Sequence, residues 1–159
     1  MREEHNHSGG DRRREIVRDA ACRFSRDGYH AISMRELSRA QGMTAGNLYH
    51  YFADKEEILF ACHQAALDAL EDLVRRVAAS GAGPAEALAQ LIAGQVRVIA
   101  GEPGGSGLML EVDALSPEHR QIVVARRDAS CAKTRPKTRE ERWKRPGASI
   151  SAERTASRW

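Results

Sequence analysis

Ser33, Thr44 and Asp54 each stand where a side-chain oxygen can cap the start of a helix, and their closeness restricts the fold of this chain more than any other feature. Ser33 with Glu36 three residues on is a capping box, and Asp54 with Glu57 is a second. Only two short helices, of about eight and seven residues, fit between these caps: one carrying Leu37 and ending near Gln41-Gly42, the other running from Thr44 through Tyr51. The turn Gln41-Gly42-Met43 puts glycine where the backbone angle is costly for other residues. Such a pair fits a helix-turn-helix, with Leu37, Met43 and Leu48 packing the helices together against Phe24. Spacing alone leaves a plain helical hairpin open as well.

The flanking segments are helical too. Asp11 is a candidate cap for a helix in which Ile16, Val17, Ala20, Ala21 and Phe24 form one apolar face, and Asp27-Gly28 closes it. Behind Asp54, the residues Ile58, Leu59, Cys62, Ala66, Leu70, Leu73 and Val77 mark one face of a helix close to 40 Å long. Ser80-Gly81-Ala82-Gly83 breaks it, and Pro84 suits the first turn of a helix carrying Leu88, Leu91, Ile92, Gln95 and Ile99. Residues 101–107 form a glycine-rich loop, 108–115 a short apolar piece, and Ser116-Pro117-Glu118 opens a last helix to about Asp128. The expected fold is all-α: a three-helix head, a long connecting helix, and an incomplete second helical domain.

From Ser130 the character changes, with nine basic residues, two prolines and almost no aliphatic side chains. That stretch lacks the apolar area to offset backbone ordering, so 130–159 is expected to be a disordered basic tail and 1–10 a disordered leader. The tail alone makes the net charge positive: residues 1–129 hold 16 Lys+Arg against 19 Asp+Glu, while 130–159 hold 9 against 3. Overall charge is therefore no argument that the head binds nucleic acid. With 5% aromatic residues the core must rest on Ala, Leu, Ile and Val. No apolar run reaches the roughly 18 residues that span a bilayer, and the opening carries no apolar signal segment, so a cytoplasmic protein without membrane contact is expected. Cys22, Cys62 and Cys131 form no CxxC pair and are read as reduced thiols.

The string Thr44-Ala45-Gly46-Asn47-Leu48-Tyr49-His50-Tyr51-Phe52-Ala53-Asp54-Lys55-Glu56-Glu57-Ile58-Leu59 closely resembles the signature of the tetracycline-repressor (TetR) family. The likeness reaches back through Ile32-Ser33-Met34-Arg35-Glu36-Leu37 and the first helix. Ser38 stands where the family prefers alanine, and Gln41 where it prefers a small or apolar residue, which loosens the turn. The resemblance implies a DNA-binding domain over 11–57 and a partial ligand-binding and dimerisation domain over 58–129.

With Leu48 and Phe52 turned inward, Ala45, Gly46, Asn47 and Tyr49 are left on the outer side of the third helix, whose amino end enters a major groove. Gly46 permits close approach, the Ala45 methyl suits thymine, and Asn47 can pair with an adenine edge. Thr44, the Tyr49 hydroxyl, Tyr51 and Lys55 suit phosphates, although Tyr51 also reads as core and Lys55 as a solvated first-turn charge. In the family the residue matching Arg35 reads a base or a phosphate. Arg12, Arg13 and Arg14 are given a supporting electrostatic role beside the DNA backbone.

The implied function is a ligand-responsive transcriptional repressor bound to a partly palindromic double-stranded operator. The stretch 110–120 is similar to family members that sense acyl thioesters, and no ligand-binding residue is named by the sequence. The family implies a homodimer built by the last two helices, but the tail offers no amphipathic face for one. A frameshift or altered C-terminus would explain the change at Ser130, and a monomeric or weakly associated protein is expected at micromolar concentration. The rival readings are a helical protein-interaction module and a truncated regulator without operator binding. No catalytic residue, metal ligand or cofactor is expected: Gly104-Gly105-Ser106-Gly107 lacks the flanking strand and lysine of a phosphate loop, and Glu118 and His119 read as surface polar groups.

Overall fold

The computed structural model describes residues 6–100 and 111–134, with no strand among them. Helix α1 spans Asn6–Asp27, α2 Met34–Ala40, α3 Ala45–Tyr49, α4 Lys55–Ala79 and α5 Pro84–Ala100; a 3-10 turn at Val112–Ala114 leads into α6, Pro117–Thr134.

Local chemistry explains most of these boundaries. Gly28 sits at φ +86° and donates its amide to Phe24 O at 3.0 Å, the left-handed cap that ends α1. Asp54 accepts the Glu57 amide at 2.8 Å to begin α4, while the Glu57 carboxylate accepts the Ala53 amide at 2.7 Å.

Several expectations need correction. Helix α1 begins at Asn6, so residues 6–10 are not a disordered leader, and Asp11 lies inside the helix with its carboxylate on Arg14 one turn later. That contact and Arg12–Glu15 are i,i+3 pairs that favour helix over the first turns. Helix α3 ends at Tyr49 rather than Tyr51, where amides of His50, Tyr51 and Phe52 close onto Asn47 and Leu48 carbonyls. Helix α6 runs past Asp128 to Thr134, so Ser130 begins no tail. The remaining tail expectation, over 135–159, lies outside the described residues, as do 1–5 and 101–110.

One core joins head and connecting helix. Ile16, Val17, Ala20, Ala21 and Phe24 of α1 meet Leu37, Leu48, Phe52 and the α4 residues Ile58, Leu59, Cys62 and Leu67. The Cys62 thiol reaches Val17 O at 3.3 Å, and burial pushes its pKa well above the ordinary thiol range, which leaves it an inert packing group.

Helix α5 rests on α4 where Gly94 meets Leu73, so close that a β-carbon on Gly94 would come within 2.6 Å of Leu73 Cδ2. Its stripe Leu88, Ile92 and Val96 stays more than half exposed. Helix α6 and the turn before it dock on α4 through Val123 and Leu115, both buried in the shared core, and through a polar seam. Glu56 accepts the Ser116 amide at 2.8 Å, and Arg126 reaches Gln64, Asp68 at 2.7 Å and Glu71 at 3.1 Å. Early residues pair with early and late with late, so α4 and α6 run in the same direction. His119, expected as a surface group, lies in this seam, its Nδ1 beside Glu56 and its ring stacked on Phe60.

Candidate nucleic-acid interface

The unit from Ser33 to Tyr49 is built by capping and one turn. Ser33 Oγ accepts the Glu36 amide at 3.2 Å while Glu36 Oε2 accepts the Ser33 hydroxyl at 2.6 Å and the Ser33 amide at 2.7 Å, and the two bonds to the carboxylate, the hydroxyl's first, hold it below its usual range. At the exit of α2, amides of Gln41, Gly42 and Met43 fold back onto carbonyls of Leu37, Ser38 and Arg39. Gly42 turns the chain at φ +63°, an angle a side chain would strain. Ser38, a departure from the family pattern, is buried and spends its hydroxyl on Arg35 O at 2.9 Å. Thr44 Oγ1 then accepts the Asn47 amide at 3.2 Å and starts α3.

Helix α3 has one inward residue, Leu48, which is fully buried. Thr44, Gly46, Asn47 and Tyr49 are exposed, Tyr49 to 53%, and Ala45 is half-buried. A β-carbon on Gly46 would meet nothing nearer than Thr44 Oγ1 at 3.9 Å. Nothing inside the protein therefore demands glycine there; what the missing side chain provides is a low outer surface.

The other expected contact residues divide. The Arg35 side chain is exposed and makes no hydrogen bond or ion pair among the described residues. Arg39, one turn later on the same face of α2 and also exposed, was not singled out, although its i,i+4 spacing from Arg35 is in the sequence. His50, exposed beyond Tyr49, was passed over as well. Tyr51 is half-buried against the core. Lys55, expected beside phosphate, turns inward: Nζ donates to Tyr29 O at 3.0 Å and Ile32 O at 2.9 Å and lies 4.1 Å from the Tyr29 ring centre. Burial lowers its pKa, with the Glu36 charge acting the other way.

The arginine run on α1 is also engaged with the protein. Arg12 donates to Gln41 O at 2.7 Å and to Glu15 at 2.8 Å. Arg13 lies 4.4 Å over the Phe52 ring and 3.3 Å from Glu57 Oε1, and Arg14 holds Asp11.

Beyond the head, a cleft of about 600 Å³ opens between α4 and α5, its walls including Leu73, Val77, Gly94 and Val98 beside Arg76 and Arg97. A second, of about 650 Å³, lies between α1 and α4.

Residues 16–62 match the family described as bacterial regulatory proteins, tetR family. The chain is 29% identical over 126 residues to the HTH-type transcriptional repressor KstR2 of Mycobacterium tuberculosis, a match covering 79% of this chain and 55% of that protein. Its fold is similar to that of the TetR family transcriptional regulator PfmR from Thermus thermophilus, with TM-score 0.65 and 33% identity, covering 74% of this chain and 65% of that one. It is also similar to AibR in complex with isovaleryl coenzyme A and operator DNA, with TM-score 0.62 and 29% identity over the same shares. The chain thus spans between about half and two thirds of the lengths of these proteins.

Proposed function

Through residues 16–62 this chain belongs to the tetR family of bacterial regulatory proteins, and from that premise we propose that it is a sequence-specific DNA-binding repressor that lays α3 in a major groove. The observation that carries this reading is the division of α3: Leu48 is wholly buried while Thr44, Gly46, Asn47 and Tyr49 face outward. On this reading Asn47 pairs with an adenine edge, the Ala45 methyl meets thymine, and Gly46 lets the backbone come close. Thr44, Tyr49, Tyr51 and Arg35 hold phosphates or neighbouring base edges. One such unit reads one half-site, so a partly palindromic operator takes two copies.

We further infer that an acyl thioester releases the protein from DNA. The likeness to AibR, which is bound to isovaleryl coenzyme A, supports that ligand class. The α4–α5 cleft supports it too, pairing apolar walls with the cations Arg76 and Arg97.

Selection of duplexes from a randomised pool, followed by titration across salt, tests the reading. A selected duplex should bind far more tightly than arbitrary DNA, with affinity falling steeply as salt rises. Equal affinity for both would end the claim of sequence specificity. A panel of acyl thioesters added to the complex tests the effector, and no loss of DNA affinity across the panel would remove that ligand class.

A further inference from the structure

Helices α2 and α3 are seven and five residues long, too short to hold an orientation by themselves. Among them only Leu37, Ser38 and Leu48 are buried. Something else must fix the angle at which α3 is presented. The turn between α2 and α3 and the lead-in to α2 carry backbone carbonyls that the two helices do not satisfy, and each place is met by a cation from a different helix. At the turn, Gln41 O accepts Arg12 Nη2 of α1 at 2.7 Å. Ahead of α2, Tyr29 O and Ile32 O both accept Lys55 Nζ of α4, at 3.0 and 2.9 Å. Those two carbonyls bracket the turn that leads into α2, since Ile32 also donates its amide to Tyr29 O at 3.3 Å.

We propose that Arg12 and Lys55 are positioning residues of the DNA-reading unit, two clamps that fix the α2–turn–α3 segment to α1 and α4, and not phosphate ligands. This rests on α3 being the element that reads DNA. The chemistry suits the role. Carbonyls at the ends of helices and turns carry partial negative charge that a cation neutralises well, and charge-assisted bonds are roughly twice as strong as neutral ones. A Lys55 ammonium that has given two N–H bonds to carbonyls and faces the Tyr29 ring with the rest would have to break those bonds to reach a phosphate. The Arg12 clamp also bears on the departure at Gln41, because it secures the carbonyl of the residue that departs from the family pattern at this turn.

Salt dependence separates a clamp from a phosphate contact. Lys55→Met and Arg12→Met keep the apolar stems and remove the donors. Each should weaken binding to a duplex selected from a randomised pool by roughly tenfold. Binding to a shuffled duplex should hardly change, and the slope of log affinity against log salt should stay at the wild-type value. A slope reduced by about one, with equal losses on both duplexes, would make the residue a phosphate ligand and overturn the proposal.

Amide hydrogen exchange of the DNA-free protein supplies a readout independent of any operator. Arg12→Met should speed exchange at Gly42 and Met43, and Lys55→Met at Ile32, each by roughly tenfold, with α4 amides from Leu67 to Leu73 unchanged. Unchanged exchange at these sites would reject the clamps even if the protein reads DNA as proposed. Failure of the wild type to prefer any duplex would reject the reading of α3 while the exchange data still judge the clamps. If a Met variant loosens every amide, Arg12→Lys and Lys55→Arg decide: each retains charge and donors and should recover the specificity ratio, and failure to recover it counts against the proposal.

Discussion

His119 Nδ1 stands 3.0 Å from both carboxylate oxygens of Glu56, joining the first turn of α6 to the first turn of α4. The same carboxylate takes the Ser116 amide, and the His119 ring lies flat on Phe60 with 3.8 Å between centroids. A double-mutant cycle of Glu56→Ala and His119→Ala should return a coupling of roughly 1 kcal/mol, because both side chains are mostly buried. Glu56→Ala alone should cost more than His119→Ala, since it also leaves the Ser116 amide without its acceptor. Chemical denaturation of the four proteins measures both quantities, and a coupling near zero would mean that the stacked ring contributes without the Glu56–His119 hydrogen bond.

Acid should weaken the fold through His63. This imidazole is 1% exposed, and its Nε2 has no hydrogen-bond partner among the described residues. Burial, then the Arg127 charge, lowers its pKa from the ordinary 6.5. The unfolded chain therefore takes up a proton at higher pH than the folded one. Stability is full above about pH 6.5 and falls as pH drops below that value towards the folded pKa, by at most about 1.4 kcal/mol per unit. Thermal melts at pH 7.5 and 5.5 check this: the wild type should lose stability between them, and His63→Leu should lose less.

Gly94→Ala should destabilise by about 1–3 kcal/mol, because the added methyl meets the buried Leu73 side chain where α4 and α5 cross. Leu73→Ala opens the same space, so the double variant should be more stable than the sum of the two single effects allows. Simple additivity, read from denaturant midpoints, would show that α5 shifts aside at no cost.

On the reading face, Asn47→Ala should relax preference at one base position and cost roughly 1–3 kcal/mol on the selected duplex. Tyr49→Phe should weaken all sequences alike and more mildly. Competition binding with single-base variants of the duplex distinguishes the two patterns. If neither substitution changes affinity, α3 does not read DNA.

The starts of α2, α3 and α4 were legible because capping is local: Ser33, Thr44 and Asp54 act on amides three residues away. The start of α1 was hidden because residues 6–10 are polar and carry two glycines, with no apolar period to mark a helix. The buried side of α5 was ambiguous for a different reason. Leu88, Leu91, Ile92, Val96 and Val98 cover more than one face, and what selects the contact is the absence of a side chain at Gly94. The inward bonds of Lys55 and the seam position of His119 were not legible because their partners, Tyr29 and Ile32 for one and Glu56 for the other, are far off in sequence. Spacing along one helix carries no trace of them.

Lys55, Glu56 and Glu57 are consecutive, and successive helical residues point about 100° apart. Their side chains accordingly reach three separate neighbours: the turn before α2, the start of α6, and Arg13 on α1. A single turn of α4 is thus a three-way joint. Spinning α4 about its own axis would tear all three attachments at once, whereas tilting it with α1, the turn before α2 and α6 in tow strains none of them. The motion of α4 that keeps this joint whole is the swing of a rigid lever and not a twist.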